Sequence, residues 1–211
     1  MMLYILLGVA LFAMLAYAIV KGSPGSSSTL SADQARTVAM DMIQYGDSLR
    51  PIIDRMMLLG GVSDTDSPAG SGILFDPPGA GTPPLTRELF DPSGGNATYE
   101  TPPAAACLST CSYVFTGQIT VTGAGSDTNP ELSMILVDIP EEVCAQINSV
   151  LGYGTAIPSG GALSTVTPFD GTNYGAATAV TLSPGTGVRE LCYQESSGAG
   201  RYIYVNVVRA R

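Results

Sequence analysis

The chain has 211 residues, with 9 Lys+Arg against 18 Asp+Glu, and its net charge is −9. Phosphate neutralisation needs clustered cations, and only the C-terminal end (Arg201, Arg209, Arg211) is locally basic, so no nucleic-acid partner is expected. There is no His, which removes the Ser-His-Asp and Cys-His constellations and the His-containing zinc sites; an enzyme is not expected, nor is a cofactor or a metal.

Residues 1–20 are an unbroken apolar run with no charged side chain, closed by Lys21. About 20 residues at ~1.5 Å rise match the ~30 Å hydrocarbon core of a bilayer. The pattern predicts an apolar helix over residues 1–21, lying in lipid or buried against copies of itself. Leu3, Leu6, Leu7, Leu11, Phe12 and Leu15 are the candidate assembly contacts. A retained anchor is expected rather than a cleaved signal. No Lys or Arg precedes the run, and the A-x-A triplet Ala16-Tyr17-Ala18 lies inside it.

Residues 22–30 form a predicted linker, with Gly22, Pro24 and Gly25 as its hinge. Pro24 removes a backbone donor, and each Gly lowers helix propensity. A fresh helix is predicted over residues 31–60. Ser31 and Gln34 have the spacing of a capping box. Ala35, Val38, Met42, Tyr45, Leu49, Ile52, Met56 and Leu59 then follow at alternating intervals of three and four, a heptad-type stripe. Arg36, Asp41, Gln44, Asp47, Ser48, Arg50, Asp54 and Arg55 lie off the stripe. Pro51 is predicted to kink the helix, and Gly60-Gly61 to end it. Such a stripe can serve the protein's own sheet while the other faces of the helix serve neighbouring subunits, so the two roles are not exclusive.

Residues 61–110 are rich in Pro, Gly, Asp and Thr and are expected as a long loop region. Two apolar islands, Ile73-Leu74-Phe75 and Leu89-Phe90, are placed to pin it to a core. Asp64-Thr65-Asp66 lacks the Gly and distal Glu of a calcium loop, so no metal is assigned there. Asn96-Ala97-Thr98 fits the glycosylation triplet, a pattern that chance often produces.

The head is expected over residues 111–211. Residues 113–121 are β-branched and aromatic and read as a strand, as do residues 132–137. Pro140-Glu141-Glu142 opens a short helix with carboxylates at its positive end, with Val143, Ile147, Val150 and Leu151 as its apolar face and Gly152 as its stop. Glu141 and Glu142 are adjacent, so they point in different directions, and capping explains them better than catalysis. Residues 155–187 carry many turn signals and little periodicity. Residues 201–209 read as a strong final strand.

Four cysteines, Cys107, Cys111, Cys144 and Cys192, suggest two disulfides in an exported chain, and three pairings are possible. Cys107 and Cys111 enclose only Leu-Ser-Thr, which suits a local bridge and would leave Cys144 and Cys192 to join distant segments. A Cys₄ metal site is the competing reading, and the spacing is poor for it.

The order of apolar helix, Gly/Pro break, amphipathic helix, sheet and late cysteines resembles type IV pilins and pseudopilins. Three features carry the resemblance: the apolar stalk with Gly22 and Pro24 near its end; the stretch from Val137 to Asn148, whose Ile139-Pro140 and Val143-Cys144 are similar to the helix start of type IVb-like pilins; and the ending from Cys192 through a Gly turn to Tyr202-Ile203-Tyr204-Val205. An alphaproteobacterial branch of pilin-like proteins is the most similar. The resemblance implies an α+β, pilin-like fold, with the two helices packed on a C-terminal antiparallel sheet, and a Cys144–Cys192 pair. It implies a structural subunit of an extracellular, cell-surface filament, a helical homo-oligomer drawn from a pool anchored in the inner membrane. The alternative is a membrane-anchored pseudopilin or accessory head of a secretion or pilus-assembly system. Pilin stalks usually carry Glu as the fifth mature residue; here position 5 is Ile5 and the first acidic residue is Asp33.

Overall fold

A computed structural model of the chain describes residues 30–64, 70–109, 111–125, 130–163, 166–172, 174–175, 178–180, 187–196 and 200–211. The chain divides into two units, Met1–Leu30 and Ser31–Arg211, and the description below is of the second. The predicted apolar helix, its assembly residues Leu3, Leu6, Leu7, Leu11, Phe12 and Leu15, and the hinge residues Gly22, Pro24 and Gly25 lie outside the described residues. Among the described residues, no helix is long and apolar enough to cross a membrane.

Helix α1 (Ala32–Leu59) starts where the capping box requires. Ser31 is extended (φ −60°, ψ 149°), its Oγ accepts from the Gln34 N–H at 3.3 Å, and Gln34 Oε1 accepts from the Ser31 N–H at 3.2 Å. These reciprocal bonds satisfy two donors that a helix start otherwise leaves open. The helix therefore begins at Ala32. It runs through Pro51 and ends at Gly60, with Gly61 at φ 64° beyond it.

Ala35, Val38, Met42, Tyr45, Leu49 and Met56 are buried, as the stripe requires. Its last two turns depart from the heptad. Ile53 is buried where Ile52 was expected, and Leu59 is 83% exposed. An α-helix of 3.6 residues per turn drifts by about 20° per heptad against a strict repeat, so the buried face has rotated by the C-terminal end.

The remaining elements are strands β1 (Val114–Val121) and β2 (Glu131–Val137), helix α2 (Glu141–Val150), and strands β3 (Ser159–Gly160), β4 (Thr178–Val180), β5 (Glu190–Glu195) and β6 (Tyr202–Arg209). They form one six-stranded sheet in the order β3-β5-β6-β2-β1-β4. Its four central strands, β5, β6, β2 and β1, pair antiparallel with one another. The expected antiparallel sheet is nevertheless mixed, because β4 pairs parallel with β1 and β3 parallel with β5. A parallel pair needs a long crossover, and these two edge strands come from the 155–187 segment, which has length enough to return along the sheet. At three and two residues they are too short to leave a periodic signature.

Strands β2 and β6 are buried along nearly their whole length, because the sheet is covered on both faces. On one face, α1 lies against β6 and α2. On the other, Ile119, Val121, Ile135, Leu191, Tyr193, Ile203, Val205 and Val207 form a core closed by Leu163 and Val188 from the connecting segments. The 61–110 region is pinned as its apolar islands suggest. Ile73 and Leu89 are fully buried. The Phe75 ring stacks on Phe115 of β1 at 4.2 Å, and Phe90 approaches the same ring at 5.9 Å.

Candidate functional site

The four cysteines form the bridges Cys107–Cys111 and Cys144–Cys192, with Cα separations of 6.0 and 5.3 Å. The second joins α2 to β5. Asn148, one turn beyond Cys144, strengthens that joint. Its Nδ2 donates to the Cys192 carbonyl at 2.8 Å, and its Oδ1 accepts from the Cys192 N–H at 2.9 Å. The amide thus serves β5 as a neighbouring strand would. Val143 and Ile147 are buried as expected, while Val150 and Leu151 are only half-buried. Cys144 and Asn148 complete the inner face in their place.

A polar seam ties α1 to the sheet. Gly46 of α1 permits the close packing there, since a Cβ at this position would collide with the Asn206 amide. Four residues on, Arg50 spans the gap. Its Nε donates to the Val207 carbonyl at 3.1 Å, Nη1 to Asp47 Oδ1 at 2.6 Å, and Nη2 to Asn206 Oδ1 at 3.0 Å and to Glu190 Oε1. Asn206 Nδ2 donates to Glu190 Oε1 at 2.7 Å and to the Tyr204 hydroxyl at 3.2 Å. Glu190 is 4% exposed. Its burial raises the carboxyl pKa to about 7, against the Arg50 charge, which lowers it, and with Asp47 adding to the rise. Burial likewise holds the Tyr204 phenol neutral, well above its ordinary value.

Two further buried carboxylates fix loops. Glu195 accepts from the Leu163 N–H at 2.6 Å and from Arg201 Nε at 2.8 Å, and Arg201 Nη2 reaches the Leu163 carbonyl at 3.0 Å. Glu131 accepts from the Val121 N–H at 2.9 Å. None of Glu190, Glu195, Glu131 or Asn206 belongs to a motif or periodicity of the sequence. The available signal was a polar residue interrupting an apolar strand, as Asn206 does between Val205 and Val207.

On the opposite flank of α1 lies a cleft of about 350 Å³, lined by Asp41, Gln44, Tyr45 and Ser48 of α1, by Glu100, Thr101 and Pro103 of the loop, and by Tyr113 just before β1. The Tyr45 and Tyr113 rings stand 5.0 Å apart, tilted by 35°. The Tyr45 hydroxyl accepts from the Glu100 N–H at 3.3 Å. Burial raises the Tyr45 phenol to about 12, and raises Tyr113 further, with the charges of Glu100 and Asp41 adding to the Tyr113 shift.

Asp64 is engaged by arginines, lying 3.8 Å from Arg209 and 3.9 Å from Arg211, and Asp66 lies outside the described residues. Among the described residues, no group of three His, Cys, Asp or Glu is placed to hold a metal ion. Glu141 and Glu142 occupy the first turn of α2, where the macrodipole favours them. No family model, curated protein or solved structure matches the chain.

Proposed function

We propose that the chain is a structural subunit of a surface filament, assembled through its N-terminal apolar segment with the acidic head outward. The observation that carries the reading is how α1 spends its apolar face. Ala35, Val38, Met42, Leu49 and Ile53 are buried within the head itself, and the helix has its own N-cap. Most of the heptad stripe is thus committed to the head's own core. The association itself is assigned to the charge-free run at residues 1–20. A helix of this kind that buries several hundred Å² per neighbour gains on the order of 10 kcal/mol before entropy costs. The pilin-like order of elements supports the same reading.

The test is electron microscopy of a sheared surface fraction from cells producing the chain and its Leu7→Asp and Leu11→Asp variants. Filaments dominated by this chain are expected, and both variants should abolish them, since a carboxylate in an apolar core costs several kcal/mol or must protonate. Normal filaments from both variants refute the reading. A chain absent from the sheared fraction but retained in the membrane is a pseudopilin-like accessory head instead.

A further inference from the structure

The Tyr45–Tyr113 cleft has no role in the assembly reading and stands independently of it. Three separate segments build it: α1, the loop before Ala104, and the start of β1. Its volume of about 350 Å³ falls within the ~300–1,000 Å³ of ligand sites. Two aromatic rings and two carboxylates share its wall. Elsewhere in the head, carboxylates are met by arginines: Asp47 and Glu190 by Arg50, Glu195 by Arg201, and Asp54 and Asp64 by Arg209. Neither Asp41 nor Glu100 forms a salt bridge among the described residues, and no cationic side chain lines the cleft. The two charged residues of its lining, Asp41 and Glu100, are both acidic. Its two carboxylates do not belong to any group of three His, Cys, Asp or Glu placed to hold a metal ion among the described residues. A soft, flat or alkylated cation suits both halves of the wall, because ring quadrupoles and carboxylates attract it together.

We propose that this cleft binds an organic cation, a guanidinium or alkylammonium group, against the Tyr45–Tyr113 pair with Asp41 and Glu100 as its counter-charges. Tyr45 is the rigid part of the site: it is 4% exposed, and its hydroxyl is tied to the Glu100 backbone. Tyr113 is half-buried and presents the accessible ring. Gln44 and Thr101 supply neutral polar groups at the wall.

The test uses the full chain in a non-ionic detergent with isotope-labelled tyrosine. Ethylguanidinium is titrated at constant ionic strength, and its neutral isostere ethylurea serves as control. Ethylguanidinium should shift the Tyr45 and Tyr113 ring signals saturably, while Tyr202, outside the cleft, stays put. The Asp41→Asn/Glu100→Gln double variant should bind about tenfold more weakly, and Tyr113→Leu, which keeps both charges, about fivefold. Equal shifts from ethylurea, parallel shifts at Tyr202, or unchanged binding by both variants would overturn the proposal. Sedimentation in the same titration separates the sources of the cation. Dissociation of chain oligomers by ethylguanidinium means that another copy supplies it; an unchanged sedimentation coefficient means that a free cation or a different partner does.

Discussion

Glu190 makes the head less stable as pH rises, and Glu190→Gln should remove that dependence. Its carboxyl has a pKa of about 7 in the folded chain, against an ordinary value of 4.5, because burial outweighs the attraction of Arg50. Between pH 4.5 and 7 the folded state therefore holds a proton that the unfolded state has lost. The contribution of this group is fully present below pH 4.5 and is lost as pH rises through 7. A shift of this size corresponds to at most about 3 kcal/mol, at ~1.4 kcal/mol per unit.

Glutamine keeps an oxygen for Asn206 Nδ2 and Arg50 Nη2 and cannot ionise. Arg50 keeps its bond to Asp47. The assay is chemical denaturation of the oxidised full chain in non-ionic detergent at pH 4.5 and pH 8, followed by tyrosine fluorescence, since the chain has no Trp and 10 Tyr. The other carboxylates titrate in both proteins, so only the difference between them isolates the site. Stability of the variant relative to the parent should rise by up to about 3 kcal/mol from the lower to the higher pH. A difference that stays constant, or moves the other way, would mean that the Arg50 pair outweighs desolvation, and the account of the seam would be wrong.

Three other perturbations test the same frame. Gly46→Ala should cost about 1–3 kcal/mol in denaturation, where an open helix position would gain up to ~1, because the added Cβ meets Asn206. Replacing both Cys144 and Cys192 by Ser should cost about 4 kcal/mol and both Cys107 and Cys111 about half that, given loops that span 48 and 4 positions; equal losses in thermal melts would contradict the loop-entropy argument. Asn148→Ala leaves the buried Cys192 N–H and carbonyl without their side-chain partners and should cost about 1–3 kcal/mol, with faster hydrogen exchange at Cys192 as the local readout.

The parts of this head that were legible in its sequence are those whose causes are local. Ser31 and Gln34 lie three residues apart, so their capping box can be read without the rest of the chain, and it is present in full. Strands β1, β2 and β6 carry β-branched runs long enough to read. Strand β5 was not legible as a strand. Its Glu-Leu-Cys-Tyr-Gln-Glu has a carboxylate at each end, and contacts that include Arg50, Arg201 and the Leu163 N–H make burial of Glu190 and Glu195 tolerable. Those partners lie between 6 and 140 positions away, beyond any window of periodicity.

The same distinction separates the two kinds of surface on α1. Its apolar face was visible as spacing, but spacing alone did not say whether the face met a sheet or another subunit. In the structure the face packs on β6 and α2, and Gly46 permits the approach. A residue without a Cβ lets the helix come close enough to β6 for Arg50 to bond the Val207 carbonyl and Asn206 directly. Once α1 is fixed so, Tyr45, one residue before Gly46, is turned against Tyr113, and Asp41, one turn earlier, reaches the same cleft. One small residue thus sets both the seam that holds the helix and the cleft on its far flank. Gly46→Ala should accordingly weaken ethylguanidinium binding as well as stability, whereas Glu190→Gln, which leaves the helix position unchanged, should leave that binding intact.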